Sequence, residues 1–151
     1  MNNAKEAIII RTAWLYSPYG NNFVKTMRRL GVEKEAVNVV TDQIGTPTYA
    51  ADLAEAIVKI LPQIREQNKG IYHFTNEGVC SWYDFATEIM KESGLECKVQ
   101  PIPSSAYPTK AKRPFYSVLD KLRIKQTFGI EISHWHEALV RCLKEMEERD
   151  V

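Results

Sequence analysis

The sequence predicts an α/β fold, on three observations. Residues 7–10 read AIII, an unbroken apolar and mostly β-branched run, which is typical of a strand covered on both faces of a parallel sheet. Segments with strand-like and helix-like apolar patterns then alternate along the chain. The predicted helices are too many for so few strands to cover alone, so we expect neighbouring strands from a preceding portion that this sequence lacks.

The first elements follow from apolar runs and their punctuation. A strand is predicted over residues 6–12, and a Pro, Gly and Asn loop comes after it. A helix is predicted to begin at Asn21 or Asn22 and to stop at Gly31. A short strand over residues 37–40 comes next.

The segment DQIGTPT, residues 42–48, is predicted to be a turn-rich loop whose last residue, Thr48, caps a second long helix. The apolar face expected for that helix consists of Leu53, Ile57, Ile60, Leu61 and Ile64.

The middle of the chain offers a second core strand, residues 71–75, and a clear helix start. Ser81 and Asp84 have the spacing of a capping box, and Gly94 is placed to end that helix. A further strand is expected over residues 98–102.

The last third begins with residues 103–116, which carry three prolines and no periodicity and are predicted to form a long surface loop of functional importance. Asp120 is expected to cap a short helix that ends at Gly129, and Ser133 to open the last helix. The inward face predicted for this helix is Trp135, Ala138, Leu139, Cys142, Leu143 and Met146.

Length and charge limit the function classes. The 151 residues suit one domain, residues 1–151, and the sequence has no repeat or linker. Lys and Arg number 20 against 19 acidic residues, so no overall field favours nucleic acid or an anionic membrane, and neither is expected as a partner.

The cysteines and the N-terminus favour a cytoplasmic protein. Cys80, Cys97 and Cys142 are odd in number, far apart and without CxxC spacing, which fits reduced thiols better than disulfides or a zinc site. The apolar run at residues 7–10 is too short for a signal peptide or a membrane span.

Five segments together resemble the C-terminal half of the dTDP-4-dehydrorhamnose reductases, within the extended short-chain dehydrogenase/reductase superfamily. They occur in the family's order across residues 7–143 and read IIIRTAWLYSPYGNNFVKTM, VVTDQIGTPTYAADLAEAI, GIYHFTNEGVCSWYDFATEI, YPTKAKRPFYSVLD and FGIEISHWHEALVRCL. The resemblance implies reduction of the 4-keto group of dTDP-4-dehydro-L-rhamnose with NADPH or NADH, in dTDP-L-rhamnose biosynthesis.

The same resemblance shows which motifs the sequence lacks. No GxGxxG occurs among its seven glycines, and no tyrosine has a lysine four positions later. Without them the chain has neither a dinucleotide cradle nor the catalytic acid. We therefore expect the substrate-binding half of a Rossmann-like enzyme, inactive alone, whose strands at residues 6–12 and 71–75 belong to a sheet completed by an N-terminal half.

The resemblance also supplies the candidate site, with no catalytic residue in this chain. The predicted substrate-binding residues are Trp14, Asn22, Gln43, Thr48 and Arg113. A purely structural role is the alternative for each of them: a packed tryptophan for Trp14, helix caps for Asn22 and Thr48, and a turn for Gln43. Asn22 and Arg113 are the expected ligands of the diphosphate, and a solvated charge cluster with Lys110 and Lys112 is the alternative for Arg113.

The three histidines are predicted to be structural, because His134 and His136 are two apart on a helix and point to different faces, and His73 is alone in a strand. No metal is expected.

Two alternatives to a reductase half stay open: a non-catalytic regulatory or nucleotide-sugar-binding module of the same family, and a fragment of a related epimerase or dehydratase. Because residues 8–10 and 71–74 would lack sheet neighbours, we also expect self-association through exposed strand edges.

Overall fold

A computed structural model describes residues 5–109 and 111–149. The strands are β1 (Ile8–Arg11), β2 (Leu15–Tyr16), β3 (Ala36–Val40), β4 (Ile44–Gly45), β5 (Thr48–Tyr49), β6 (Gly70–His73), β7 (Cys80–Ser81) and β8 (Lys98–Ile102). The α-helices are α1 (Phe23–Glu33), α2 (Ala50–Ile60), α3 (Trp82–Glu92), α4 (Leu122–Phe128) and α5 (Trp135–Arg149). The predicted α/β class is confirmed.

The strands form four two-stranded pairs, of which three are parallel. β1 pairs with β6 from Ile8 opposite Gly70, so the two predicted core strands are direct neighbours. β3 pairs with β8 from Ala36 opposite Lys98. β2 pairs with β5, and the antiparallel pair of β4 with β7 brings the DQIGTPT segment to the start of α3.

Two apolar clusters hold these elements together. The first, which we call the large cluster, lies among α1, α3, α5, β3 and β8 and includes Val24, Met27, Phe85, Ile89 and Leu139. The second, the small cluster, lies among α2, α4 and the β1–β6 pair and consists of Ala56, Ile60, Tyr72, Phe74, Ile124, Phe128 and Ile130. The predicted inward face of α5 is buried throughout, as the sequence indicated.

The predicted end of α1 at Gly31 is wrong, since the helix continues to Glu33. Gly31 instead marks a close approach: a Cβ atom there would lie 2.7 Å from the side chains of both Leu95 and Met90. The glycine therefore permits the contact between α1 and the end of α3, rather than ending the helix.

The start of α2 also differs from the prediction. Its N-cap is Tyr49, which makes no side-chain capping bond, while the Thr48 hydroxyl donates to the Ala13 carbonyl at 2.7 Å. On the expected inward face, Ile57 and Leu61 are exposed. Thr48 therefore ties β5 to the segment after β1 and does not cap the helix.

The start of α3 is as predicted, whereas the starts of α4 and α5 differ from the prediction. Ser81 and Asp84 form the expected capping box, with the Asp84 carboxylate accepting from the Ser81 N–H at 2.8 Å. The N-cap of α4 is Lys121 rather than the predicted Asp120, although the Asp120 carboxylate accepts from the Leu122 N–H at 2.8 Å. α5 begins two residues after Ser133, whose hydroxyl donates to Asp52 instead.

Within the described residues, β1 is covered on one face only. Ile8 and Ile10 pack against the small cluster, but Ile9 is 45% exposed and its partner Ile71 on β6 is 38% exposed. Helices α2 and α4 cover one face, and no described element covers the other. Among residues 5–109 and 111–149, no helix is both long and apolar enough to cross a membrane.

Candidate functional site

A cavity of about 750 Å³ lies between α1, β3 and the loop that follows β8. Phe23, Met27 and Leu30 of α1 form an apolar wall, and Trp82 lines the cavity from the first position of α3. Its polar lining residues include Asn38, Gln43, Gln100 and Arg113. A concave site of this volume, lined by both apolar and polar side chains, suits a small molecule.

Three aromatic rings connect the cavity to the end of β1. The Phe23 and Trp82 ring centroids are 4.6 Å apart, and Trp14 stacks on Trp82 at 3.6 Å with an interplanar angle of 11°. Trp14 also lies close to Gly45. A Cβ atom added to Gly45 would be only 2.5 Å from the Trp14 indole. Gly45 is therefore required for Trp14 to reach its place between β4 and Trp82.

The backbone around Trp14 is strained and firmly held. Trp14 has φ 51°, a left-handed conformation that is rare for a residue with a side chain. The Thr48 N–H donates to the Trp14 carbonyl at 3.0 Å, and the Thr48 side chain is fully buried beside Ala13. Strain that is maintained in this way is commonly found at functional sites.

Asn22 is the N-cap of α1, one residue before the cavity wall. Its Oδ1 accepts from the Lys25 N–H at 3.2 Å, and its Nδ2 donates to the Ser17 carbonyl at 2.7 Å. The side chain is therefore engaged in capping and in holding the preceding loop, while Asn21 is exposed.

Gln43 and the neighbouring Asp42 attach the long loop to the cavity. Gln43 Nε2 donates to Ser104 Oγ at 2.8 Å, and the Asp42 carboxylate accepts from the Ser104 N–H at 3.0 and 3.1 Å. Hydrogen bonds from the Ser104 side chain and backbone hold the pKa of Asp42 below its usual range. The start of the 103–116 loop is thus fixed beside the cavity.

Arg113 is exposed and lines the cavity. Among residues 5–109 and 111–149 its guanidinium makes no hydrogen bond or ion pair, so it is available to an anion. Lys112 is equally exposed but does not line the cavity, and Lys110 lies outside the described residues.

The predicted site residues thus divide into two groups. Gln43 and Arg113 line the cavity directly. The other three do not line it. Trp14 stacks on the lining residue Trp82, the Thr48 N–H donates to the Trp14 carbonyl, and Asn22 caps the helix that forms the wall.

Sequence reasoning missed the aromatic wall itself. Phe23 and Trp82 both line the cavity at the first position of a helix, directly after a recognisable N-cap. An aromatic residue directly after each predicted N-cap, Asn22 and Ser81, was the feature of the sequence that could have indicated this wall. Tyr107, in the proline-rich loop, also lines the cavity, and no local pattern distinguishes it from the other residues of that loop.

The cysteines are free and buried, as expected for reduced thiols. Burial raises the pKa of the Cys142 thiol to about 12 and raises the pKa of Cys80 as well. Since the thiolate is the reactive form, neither residue is suited to nucleophilic chemistry.

Comparisons with known proteins agree on one family. A family model described as the RmlD substrate binding domain matches residues 1–148. The spore coat polysaccharide biosynthesis protein SpsK of Bacillus subtilis is 48% identical over 93% of this chain and 48% of its own length. The dTDP-4-dehydrorhamnose reductase of Aggregatibacter actinomycetemcomitans is 45% identical over 89% of this chain and 49% of its own.

A solved structure gives the same result. The dTDP-4-dehydrorhamnose reductase of Bacillus anthracis, determined in complex with NADP, superposes with a TM-score of 0.86 at 41% identity over 91% of this chain and 48% of that one. The chain spans about half the length of the curated relatives it matches.

Proposed function

Because the chain belongs to the RmlD substrate binding domain family, we propose that it is the substrate-binding half of a dTDP-4-dehydrorhamnose reductase and holds the dTDP-sugar in the cavity between α1 and β3. The observation that carries this proposal is the combination of an aromatic wall and an unpaired arginine in one cavity of about 750 Å³. A nucleotide needs both an apolar surface for its base and a cation for its phosphates.

The unpaired edge of β3 offers backbone groups that could hydrogen-bond to the pyrimidine base of the nucleotide. Glu35 O accepts from Lys98 N and Thr41 N donates to Ile102 O, so the odd-numbered residues of β3 bond to β8. The N–H and C=O of Asn38 therefore lie on the opposite edge, which no described strand pairs with and which lines the cavity. A donor and an acceptor side by side suit the edge of a pyrimidine.

The remaining predicted residues take roles at the two ends of the ligand. Arg113 binds the diphosphate, since a guanidinium can contact two phosphate oxygens at once, and Gln43 places the loop that carries it. Trp14, at the carboxyl end of β1, faces the sugar end, because ligands of open α/β sheets bind at that edge. Thr48 and Asn22 act by holding Trp14 and α1.

Reduction needs a hydride donor and a proton donor that this chain does not supply. NADPH or NADH is the donor implied for the whole enzyme, and the Bacillus anthracis relative was solved with NADP. The sequence has neither the GxGxxG loop nor the YxxxK pair, so its residues do not fit this cofactor alone. We infer that the chain binds substrate but does not turn it over.

The β1–β6 pair indicates where a dinucleotide-binding half would join. Gly70 N donates to Ala7 O and Phe74 N donates to Arg11 O, so Ile8 and Ile10 present their backbone groups to the open edge of β1. The open edge of β6 is different, because Arg123 Nη1 donates to the Ile71 carbonyl at 3.2 Å and covers it. Strand addition is therefore favoured at β1.

A non-catalytic binding module is the second candidate, and the absence of both catalytic motifs from the sequence favours it. Both candidates share the cavity and differ in turnover. For both candidates we expect a cytoplasmic location, because the cysteines are free thiols.

Calorimetric titration with dTDP and dTDP-L-rhamnose tests the binding proposal. We expect one site, and Arg113→Gln is expected to weaken affinity for both ligands by about tenfold to a hundredfold, the usual value of a charge-assisted hydrogen bond. Lys112→Gln is the matched control, since it removes the neighbouring exposed charge outside the cavity. Equal losses in the two variants, or no binding by the unmodified chain, would contradict the proposal.

A further inference from the structure

A cluster of donor groups joins α3 to α5 on the part of α3 away from the cavity. Glu88 and Glu92 lie one turn apart on α3, and His136 lies in the first turn of α5. His136 Nε2 is 3.1 Å from Glu88 Oε2 and 3.3 Å from Glu92 Oε1. None of the three residues lines the cavity described above.

The spacing of these atoms matches a coordination shell. One donor atom from each residue lies within 4.8 Å of the others. Two ligand atoms held by one tetrahedral ion at its usual bond length are about 3.4 Å apart. The imidazole contacts are already at that separation, so small side-chain rotations suffice to accommodate an ion.

The donor set is also informative. An imidazole nitrogen with two carboxylates suits Zn²⁺ and similar transition-metal ions, whereas Mg²⁺ prefers oxygen ligands alone. All three side chains are half-buried, with 35%, 26% and 26% of the His136, Glu88 and Glu92 side chains exposed. Partial burial on two packed helices reduces the side-chain freedom lost when an ion binds.

An ordinary ion-pair cluster is the competing explanation. Lys91 Nζ lies 3.0 Å from Glu88 Oε2 and 3.6 Å from Glu92 Oε1, so it already neutralises part of the carboxylate charge. Its side chain is 65% exposed and therefore moves aside at little cost when a divalent ion takes its place.

We propose that Glu88, Glu92 and His136 bind one divalent transition-metal ion, for which Zn²⁺ is the best match, and that the ion clamps α3 to α5. Three protein ligands leave one position for water. The ion would stabilise the fold that carries Trp82, and it takes no part in the binding proposed for the cavity.

Titration with Zn²⁺ and Co²⁺ tests this site directly. We expect one ion per chain, a cobalt spectrum of tetrahedral type without a thiolate charge-transfer band, and a thermal midpoint raised by at least about 3 °C at saturating Zn²⁺. Mg²⁺ at the same concentration is expected to give no shift. A thiolate band would assign the ion to cysteine and overturn the proposal.

Variants give the decisive comparison. His136→Ala and Glu92→Gln are each expected to weaken Zn²⁺ affinity by at least about tenfold, and Glu92→Gln preserves the shape of the side chain if His136→Ala folds poorly. His134→Ala is the control for the start of α5, because His134 is exposed and outside the cluster, and its Nδ1 accepts from the His136 N–H at 3.3 Å without offering a ligand. Lys91→Met should raise affinity. Zn²⁺ affinity unchanged in His136→Ala and Glu92→Gln would refute the site, whatever the cavity binds.

Discussion

The large cluster and the β1–β6 region differ in how completely they are covered. Helices α1, α3 and α5 surround the large cluster, and its aromatic edge forms the wall of the cavity. The β1–β6 pair is covered by α2 and α4 on one face only, and Ile9 and Ile71 are exposed on the other. The first region thus carries the cavity in which we propose that the ligand binds, and the second carries the uncovered face at which we propose association.

The strand edges show the same difference. The open edge of β3 lies beside the cavity, where Asn38 is a lining residue. In the β1–β6 pair, Arg123 covers the edge of β6, and its guanidinium also lies 4.7 Å from the Tyr72 ring. Among residues 5–109 and 111–149, no side chain is seen to hydrogen-bond to the free edge of β1 in this way. Our expectation that each edge is open to another copy is therefore too broad, because the β6 edge is protected.

The largest effects are expected from removing a buried ring in each region. Phe85 of the large cluster and Phe74 of the small cluster are 1% and 2% exposed, so alanine at either position should lower the free energy of unfolding by about 3–5 kcal/mol. The Phe85 ring stacks on Phe23 of the cavity wall at 5.7 Å between centroids, whereas Phe74 packs in the small cluster, none of whose described members lines the cavity. Only Phe85→Ala should also weaken dTDP binding.

Urea unfolding and calorimetry on both variants check this difference. Loss of dTDP affinity in Phe74→Ala, measured where both variants remain folded, would show that the two regions are not separate in function.

Two glycines provide a finer comparison. Gly45→Ala would press against the indole of Trp14, which is fixed by its stack on Trp82, so we expect overpacking to cost about 1–3 kcal/mol. At Gly70, the three atoms nearest an added Cβ all belong to the Arg123 guanidinium, the far end of a flexible side chain. Gly70→Ala should therefore lower the free energy of unfolding by less than about 1 kcal/mol. Thermal unfolding of the two variants gives the ranking, and a larger loss for Gly70→Ala would reverse it.

Self-association tests the uncovered face. We expect the isolated chain to associate at high concentration through β1, and Ile9→Lys to reduce this with little change in stability, since Ile9 is 45% exposed. Arg123→Ala should increase association by uncovering β6. Sedimentation velocity measures both. A monomer across the whole concentration range for the unmodified chain would count against this surface.

The smallest effect concerns an ion pair at the end of β6. Partial burial would raise the pKa of Glu77, but the hydrogen bond from Lys125 and the charge of Lys121 outweigh it and hold the pKa below its usual 4.5. The ionised carboxylate therefore adds stability above about pH 4.5, and this is lost as the pH falls through the lowered value.

Urea unfolding across that range measures the contribution of Glu77. Glu77→Gln should be less stable than the unmodified chain at pH 7 by about 1 kcal/mol or less, with the gap closing in acid. If this difference in the free energy of unfolding grew as the pH fell, the predicted direction of the pKa shift of Glu77 would be contradicted.

Much of the fold could be predicted, because periodicity and caps act locally. The alternating strands, the capping box at Ser81 and the inward face of α5 all depend on residues close in sequence. The errors occurred where a contact between residues distant in sequence determines the role of a residue. Gly31 allows Leu95 to pack closely against α1, and the Thr48 hydroxyl donates to the Ala13 carbonyl instead of capping α2.

The residues that line the cavity were predicted only in part for the same reason. Family motifs pointed to Gln43 and Arg113, which the fold brings to one cavity. Phe23 and Trp82 come from different helices and meet only when α1 and α3 pack together, so neither residue's own neighbourhood shows that it lines a site.

The most direct test of a substrate half that needs a separate cofactor half is an NADPH oxidation assay with dTDP-4-dehydrorhamnose. The chain, the dinucleotide-binding half of a dTDP-4-dehydrorhamnose reductase, and their mixture are assayed side by side. We predict turnover only in the mixture, with its loss in Arg113→Gln but not in Lys112→Gln. Turnover by the chain alone, or a mixture that associates without oxidising NADPH, would contradict the account.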